Sequence, residues 1–175
     1  VKLLEPHVVD VAVRGSHART PLHCAAMVGN HAVLRRLLKK LLALGGGAAS
    51  VVAVDVDGCT ALLLAVRAGS VACMKELVFA GAAFHDEAEC GRTALHEAAA
   101  RDFAGGIYLL HACGADVTAP LSASGSTPLH LCAMVDAARA CLALYACGAL
   151  DNDAATRRRN LAGQSALDLA DKCGS

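Results

Sequence analysis

The sequence predicts an all-α solenoid in which antiparallel helix pairs stack in single file. Five segments that begin at residues 20, 60, 93, 127 and 165 share one pattern, so the unit recurs every 33 to 40 residues along the 175-residue chain. Three Gly-Ala pairs, at residues 81, 114 and 148, each begin 21 residues after the preceding motif Thr. Because a unit of this size cannot bury its apolar face alone, neighbouring units must stack into one continuous core. The five segments are Thr20-Pro21-Leu22-His23-Cys24-Ala25, Thr60-Ala61-Leu62-Leu63-Leu64-Ala65, Thr93-Ala94-Leu95-His96-Glu97-Ala98, Thr127-Pro128-Leu129-His130-Leu131-Cys132 and Ser165-Ala166-Leu167-Asp168-Leu169-Ala170.

Each segment carries the signals that start and stop a first helix. The leading Thr or Ser accepts hydrogen bonds from the first free N–H groups, and a proline at the next position tolerates its missing N–H. Gly29 and Gly69 are placed to end the helix, and Asp102 and Asp136, which take the glycine's place in two units, are expected to cap the following helix. Turn-forming residues after each second helix predict an extended finger. The second helices are predicted at His31 to Leu44, Ser70 to Ala80, Ala104 to Cys113 and Ala137 to Cys147.

The 33-residue spacing and the Thr-Pro-Leu-His-x-Ala signature resemble the ankyrin-repeat family. The resemblance implies antiparallel helix pairs with β-hairpin-like fingers, in about four full repeats with a partial repeat at each end. We expect a single domain over residues 1–175, with a partial unit at 1–15, repeats starting near 16, 56, 89 and 123, and a partial unit at 161–175. Since the last unit lacks a second helix, we expect a longer polypeptide, or another element that covers this end.

Composition argues against several classes of protein. Sixteen Lys and Arg balance sixteen Asp and Glu, and aromatic residues make up only 3%, which disfavours a nucleic-acid binder. Apolar residues make up 55%, enough to fold, yet no uncharged stretch is long enough to span a bilayer and no secretory segment opens the chain. Nine cysteines without a Cys-x-x-Cys pair argue against a disulfide framework or a zinc cluster. We therefore expect an intracellular protein of the cytoplasm, or of the nucleus, without metal or cofactor.

Two insertions depart from the repeat. Seven extra residues in or just after the second helix of the first full unit predict a helix that protrudes. Five extra residues in the last finger predict a mobile basic loop. Each insertion forms a secondary basic patch for which a solvated surface is the simpler interpretation, although acidic lipid or protein is an alternative partner. The first patch contains Arg35, Arg36, Lys39 and Lys40, and the second contains Arg157, Arg158 and Arg159.

Histidines recur at the fourth motif position, a pattern that invites a metal-site interpretation. Stacked units place equivalent residues about one layer apart, however, which is too far for one ion with ligands at ~2 Å. We expect His23, His96 and His130 instead to hydrogen-bond between the motif Thr hydroxyls and neighbouring backbone. Among the cysteines, Cys59 and Cys90 lie near finger tips and are the expected exposed thiols.

The family resemblance implies a non-catalytic module or scaffold that binds another protein on its concave surface. By register, the contact positions are the finger tips and the exposed ends of the first helices. Three arginines form the central group, with a methionine at each end, which suggests a partner segment with acidic residues in the middle and apolar anchors at its ends. The expected partner-binding residues are Arg19, Met27, Asp57, Arg67, Glu89, Arg92, Arg101, Ser126 and Met134.

Two alternatives stay open. The chain resembles proteins that serve as the substrate-receptor arm of a larger enzyme or ubiquitin-ligase assembly. It also resembles substrates of asparaginyl hydroxylases: Asn152 and His85 occupy the position that these enzymes modify, with Leu144 and Leu77 eight residues earlier. Intrinsic catalysis is the least expected function, because no acid, base and nucleophile converge in the sequence.

Overall fold

The chain forms stacked helix pairs, as the repeat predicts. The computed structural model describes residues 15–44, 51–85, 88, 91–149 and 157–173. Within these residues there are nine α-helices and a short 3₁₀ turn at Ser16–Ala18. The helices are α1 (Pro21–Met27), α2 (His31–Ala43), α3 (Ala61–Arg67), α4 (Val71–Phe79), α5 (Ala94–Ala100), α6 (Ala104–Ala112), α7 (Pro128–Met134), α8 (Ala138–Ala146) and α9 (Ala166–Cys173). We call each first helix, with the second helix and the finger that follow it, a layer.

The first helices begin and end where the sequence predicts. The N–H groups of His23, Leu63 and His96 donate to the hydroxyls of the motif Thr at 3.5, 3.3 and 3.4 Å, which caps α1, α3 and α5. These three helices and α7 are each seven residues long and stop at a backbone with positive φ. Glycine reaches that conformation without strain, and aspartate is among the few other residues that tolerate it.

The second helix of the first full layer is the longest, as predicted. α2 has 13 residues, whereas α4, α6 and α8 have nine each, so four of the seven extra residues lengthen the helix. Leu34, Leu38 and Leu41 lie on its buried side. On the rest of the helix, Val33 and Leu42 are exposed and Leu37 is half-buried, while the other residues are polar or alanine. The helix therefore packs along one apolar stripe and presents Arg35, Arg36 and Lys39 to solvent, while Lys40 is half-buried.

The core is continuous from layer to layer. The motif leucines Leu22, Leu62, Leu95 and Leu129 are each at most 8% exposed, and alanines fill the contacts between neighbouring first helices. Leu77, Leu110 and Leu144 close the second-helix side and are fully buried. Small residues on the first helices let them approach closely, while the larger residues on the second helices fill the outer half of each layer.

The fingers are tight turns that contact one another. Among the described residues they hold one isolated antiparallel bridge, between Val54 and Thr60, and no longer strand. The N–H of Val56 donates to the carbonyl of His17 at 3.0 Å, and the N–H of Leu161 donates to the carbonyl of Ser124 at 2.9 Å. These bonds tie each of these fingers to its neighbour and fix the spacing of the residues near the tips.

The prediction that Asp102 caps the helix that follows it is wrong. The helix that follows it, α6, begins without a side-chain cap. Instead, Oδ1 of Asp102 accepts from the N–H of Ala140 at 2.7 Å and Oδ2 accepts from Nε of Arg139 at 2.8 Å, so Asp102 caps α8 in the next layer. Burial raises the pKa of Asp102, but the bonds from Arg139 and Ala140 outweigh it and hold the pKa below its usual value. Asp102 has a positive φ of 52° at the end of α5.

The prediction that Cys59 is an exposed thiol is also wrong. Cys59 is 1% exposed, and its Sγ lies 3.5 Å from the carbonyl oxygen of Asp57 because the finger folds back over it. Cys90 lies outside the described residues. All eight cysteines that the structure describes are free thiols, and Cys24, Cys113 and Cys173 are the exposed ones.

None of the described helices has the length and apolar character that crossing a membrane requires.

Candidate functional site

Apolar side chains are exposed at the ends of α1 and α7, which are the first helices of the first and fourth layers. Met27 and Val28, where α1 ends, are 44% and 74% exposed. Met134 and Val135, where α7 ends, are 50% and 54% exposed. The backbone turns sharply after both pairs, so these side chains project beyond the helix ends and remain accessible to an apolar partner.

Between these pairs, three arginines converge on one glutamate. We call Arg67, Arg92, Arg101 and Glu97 the arginine cluster. Nε of Arg67 and Nε of Arg101 both donate to Oε1 of Glu97, at 2.9 and 2.8 Å, and Nη1 of Arg92 donates to Oε2 at 3.3 Å. Arg67 ends α3, whereas Arg92 and Arg101 flank α5, so the cluster joins the second and third layers.

Glu97 is the buried member of the arginine cluster. It is 3% exposed, whereas the side chains of Arg67, Arg92 and Arg101 are 32%, 42% and 46% exposed. Burial raises the pKa of Glu97, but the hydrogen bonds from Arg101 and Arg67 outweigh it and hold the pKa below the usual value of 4.5. One carboxylate balances one of three permanent guanidinium charges, so these four residues carry a surplus of positive charge.

A second ion group lies in the first finger. Nε of Arg19 donates to Oδ2 of Asp55 at 3.1 Å, Nη2 donates to Oδ2 of Asp57 at 3.3 Å, and Nη1 contacts Sδ of Met27 at 3.7 Å. The Asp55 side chain is fully buried, whereas that of Asp57 is 59% exposed. This group therefore links the end of α1 to the finger, and its only buried charge is Asp55.

Asp55 is held mainly by the backbone of its own finger. Its Oδ1 accepts from the N–H groups of Asp57 and Cys59 at 3.0 and 2.9 Å. Burial raises the pKa of Asp55, but the bonds from Cys59 and Arg19 outweigh it and hold the pKa below its usual value. The carboxylate closes the turn and fixes the position of Arg19 at the same time.

The two carboxylates that organise these groups, Asp55 and Glu97, were not singled out from the sequence as organising residues. Arg19, Arg67, Arg92 and Arg101 were predicted to contact a partner, and each makes an ion pair within the protein. One signal was available: Glu97 stands four residues before Arg101, the spacing that brings two side chains together on a helix. The pairs between layers have no comparable local signal.

One predicted contact residue, Ser126, is buried away from this surface, and another, Glu89, lies outside the described residues. Ser126 is 7% exposed, and its carbonyl accepts hydrogen bonds from the Leu121 N–H and from His96, so its role is to shape the third finger. Glu89 lies outside the described residues, together with Asp86 and Glu87 of the same finger. These three acids belong in the sequence to the segment that precedes Arg92.

Each motif histidine hydrogen-bonds both to the Thr at the start of its own helix and to the backbone of the following finger, which confirms the predicted Thr–His–backbone link. Nδ1 of His96 lies 2.7 Å from the Thr93 hydroxyl, and Nε2 lies 3.2 Å from the Ser126 carbonyl oxygen. A carbonyl oxygen only accepts, so Nε2 donates and Nδ1 accepts from the hydroxyl. His23 and His130 are buried and bonded in the same way. In the described part of the chain, no three His, Cys, Asp or Glu side chains lie close enough to hold a metal ion.

The two secondary basic patches differ in the contacts that their side chains make. On α2, Nε of Arg35 lies 3.6 Å from Oε1 of Glu76 in the next layer, Arg36 and Lys39 are exposed, and Lys40 is half-buried. In the last finger, Nη1 of Arg158 donates to the Thr118 carbonyl at 3.3 Å. Arg159 contacts Asp168 at 3.3 Å, and Arg157 is exposed. Residues 150–156 of this insertion lie outside the described residues.

Of the two predicted hydroxylation positions, the structure describes one. His85 is exposed, and its ring centroid lies 4.0 Å from that of Phe84. Leu77, eight residues earlier, is fully buried in α4. Asn152 lies outside the described residues.

Comparison with known proteins agrees with this architecture. A family model described as ankyrin repeats (3 copies) matches residues 1–87 and, in a second overlapping match, residues 38–120. No curated protein matches the chain. The matched segments cover the first three helix pairs and most of the chain, and the motif, the helix pairs and the buried histidines have the same period. The chain therefore belongs to the ankyrin-repeat family.

Proposed function

We propose that this protein binds a partner segment across the fingers and the ends of its first helices, with the arginine cluster at the centre of the contact. Ankyrin repeats are generally protein–protein interaction modules. The observation that supports the specific surface is the convergence of three half-exposed arginines on one buried glutamate, between exposed methionines at either end.

The chemistry of the cluster favours an acidic partner. Arg92 and Arg101 each use one N–H on Glu97, and a guanidinium has five. Carboxylates of a partner pair well with such forks, and positions already fixed by Glu97 reduce the ordering cost of binding. Met27 and Met134 are flexible apolar side chains that adapt to irregular surfaces. The expected segment thus has acidic residues in its centre and apolar residues towards its ends.

A peptide-display selection tests this surface and needs no identified partner. Random peptides selected on the folded protein should be enriched in Asp or Glu at the centre, with Leu, Ile, Phe or Met on both sides. Selected peptides should bind Arg92→Glu about tenfold more weakly or worse, because like charges then face each other across the contact. Arg36→Glu changes the net charge equally on α2 and should leave the affinity unchanged.

Thermal unfolding of both variants separates lost binding from lost folding. Arg92 is the best residue to reverse, since it makes the longest of the three bonds to Glu97. Selected peptides without an acidic centre, or equal affinities for Arg92→Glu and the unaltered protein, would reject the proposed surface.

The hydroxylation alternative has one favourable observation, the exposure of His85. Incubation of an Asn152→Ala variant with an asparaginyl hydroxylase and intact-mass analysis should show the addition of one oxygen atom, which a further His85→Ala change abolishes. Because Leu77 is fully buried, an enzyme that must contact it reacts only when α4 opens locally. The substrate-receptor role stays a prediction, since no described residue distinguishes it from binding in general.

A further inference from the structure

The arginine cluster gathers its hydrogen-bond donors closely enough for one small anion to meet several of them. Nε of Arg67 and Nε of Arg101 both donate to Oε1 of Glu97, so these two nitrogens lie less than about 6 Å apart. Nη1 of Arg92 donates to the other oxygen of the same carboxylate. All three arginine side chains remain partly exposed, so an anion that approaches from solvent can contact more than one guanidinium group.

The three arginines differ in how many of their donors the fold uses. Nη1 of Arg67 donates to Sγ of the buried Cys59 at 3.2 Å, in addition to the bond from its Nε to Glu97. Among the described residues, Arg92 and Arg101 each bond only Glu97, through one N–H. Because a guanidinium has five N–H donors, these two side chains keep most of theirs for a ligand. Arg67 is thus held at two points, and Arg92 and Arg101 supply the accessible forks.

The charge of the arginine cluster favours one kind of acidic group. The pKa of Glu97 is held below 4.5, so its carboxylate is ionised at neutral pH and offsets one of the three positive charges. Two positive charges remain within the cluster. A carboxylate brings one negative charge, whereas a phosphate monoester brings about 1.5 to 2 at pH 7, together with three strongly accepting oxygens. A single phosphate therefore matches the cluster in charge and in number of acceptors better than a single carboxylate.

We propose that the arginine cluster binds a phosphorylated side chain at the centre of the partner segment, with Arg92 and Arg101 as the forks that contact the phosphate. This inference rests on the binding surface proposed above and names the acidic group that the surface prefers. Arginine–phosphate pairs are frequently bidentate, which adds a fixed geometry to the affinity. Phosphorylation of the partner therefore strengthens binding, because the unmodified hydroxyl brings no charge to the cluster.

An extended polyanion is a poorer ligand than a single phosphate. Anionic membranes and nucleic acids present many negative charges side by side. The ion group of Arg19, Asp55 and Asp57 carries one surplus negative charge, and it lies in the finger whose Cys59 contacts Arg67. Three further acids precede Arg92 in the sequence. Negative charge beside the cluster repels a broad anionic surface more than it repels one phosphate that approaches the arginines.

Nine-residue peptide libraries test the proposal. The central residue is phosphorylated (serine or tyrosine), glutamate or unmodified serine, and the flanks are random. Each library is selected on the full chain, and the best phosphopeptide is remade with Ser, Glu or Glu-Glu at its centre. The Glu-Glu peptide has the charge of a phosphate but spreads it over two carboxylates. Fluorescence anisotropy measures the affinities, and phosphorus NMR shows whether the phosphate itself is contacted.

We expect the phosphopeptide to bind about tenfold more tightly than its Glu and Glu-Glu counterparts, with a shift of its phosphorus signal. Arg101→Gln should remove this preference, because one of the two forks is lost. Arg35→Gln is the matched control: it also removes an arginine that pairs with a glutamate, but on α2, and should leave the preference unchanged. Thermal unfolding verifies that the variants are folded, and Arg92→Gln removes the other fork if Arg101→Gln fails to fold.

The outcomes separate this inference from the proposed surface. Equal affinities for the phosphopeptide and the Glu peptide, both weakened by Arg92→Glu, would overturn the phosphate preference and leave the surface for acidic segments in place. If no library yields a peptide whose binding depends on Arg92, both proposals fail. A phosphopeptide preference that survives Arg101→Gln, or binding to phosphoinositide vesicles without binding to any phosphopeptide, would also overturn the inference.

Discussion

Asp55 and Glu97 are both buried carboxylates, yet the protein satisfies them by different means. Asp55 accepts from two backbone N–H groups of its own finger and from Arg19 alone. Glu97 accepts only side-chain donors among its described bonds, and all of them are arginines from two layers. Asp55 closes a turn and shares Arg19 with a second aspartate, whereas Glu97 gathers more positive charge than it balances. The first arrangement mainly builds the fold, and the second gathers three arginines of two layers around one carboxylate.

The largest effect is expected from Glu97→Gln. Glutamine has nearly the same shape but no charge, so three neighbouring guanidinium groups lose their common anion and repel one another. We expect a loss of about 2–3 kcal/mol in the free energy of unfolding, below the full cost of breaking a buried pair because the arginines are half-exposed. Denaturant unfolding measures it. Glu76→Gln, which breaks only the exposed contact with Arg35 at 3.6 Å, should change stability by less than about 0.5 kcal/mol.

A smaller loss in the free energy of unfolding is expected at Asp55, and substitution by an amide distinguishes it from the loss at Glu97. Asp55→Ala leaves the buried Cys59 N–H without its side-chain acceptor and should cost about 2 kcal/mol. Asp55→Asn keeps an oxygen for that N–H and should recover about half of the loss, since the remaining penalty is the lost pair with Arg19. At Glu97 an amide should recover little compared with alanine, because the partners there are charges. Equal recovery at both positions would contradict the distinction between the two carboxylates.

The repeat register predicted the fold well because its signals are local. A motif Thr caps the helix that begins one residue later, a glycine ends it, and the extra residues after Thr20 lengthen α2. The partners within the site lie much further apart: 30 residues separate Arg67 from Glu97, and 36 separate Arg19 from Asp55. The period shows that such residues lie in neighbouring layers. It does not show which guanidinium turns towards which carboxylate, because that depends on side-chain packing in the assembled stack.

The carboxylate of Asp102, like that of Asp55, accepts from backbone N–H and from an arginine, but it lies nearer the surface. A change at Asp102 therefore tests how much such a contact stabilises the fold when it is partly exposed. Asp102 binds one backbone N–H and one arginine, as a partly exposed counterpart of Asp55, and its side chain is 30% exposed. Asp102→Gly should cost about 1 kcal/mol more than Asp136→Gly in denaturant unfolding, because both changes relieve the same backbone strain and only the first removes a cap. Equal effects would mean that the bond to α8 contributes nothing measurable to stability.

Acidification is expected to give the smallest and most gradual loss of stability, and it acts on both Glu97 and Asp55. The folded-state pKa values of Glu97 and Asp55 are lowered, so the unfolded chain takes up these protons first as the pH falls. Their contribution to stability is therefore complete above the ordinary carboxyl pKa values, 4.5 for Glu97 and 3.8 for Asp55, and is lost as the pH falls through the lower folded-state values. In urea titrations, the stability difference between the unaltered protein and Glu97→Gln should stay constant from neutral pH to about pH 5 and shrink below it. A difference that grows on acidification would mean that Glu97 is protonated more readily in the folded protein, and that its arginines do not compensate for its burial.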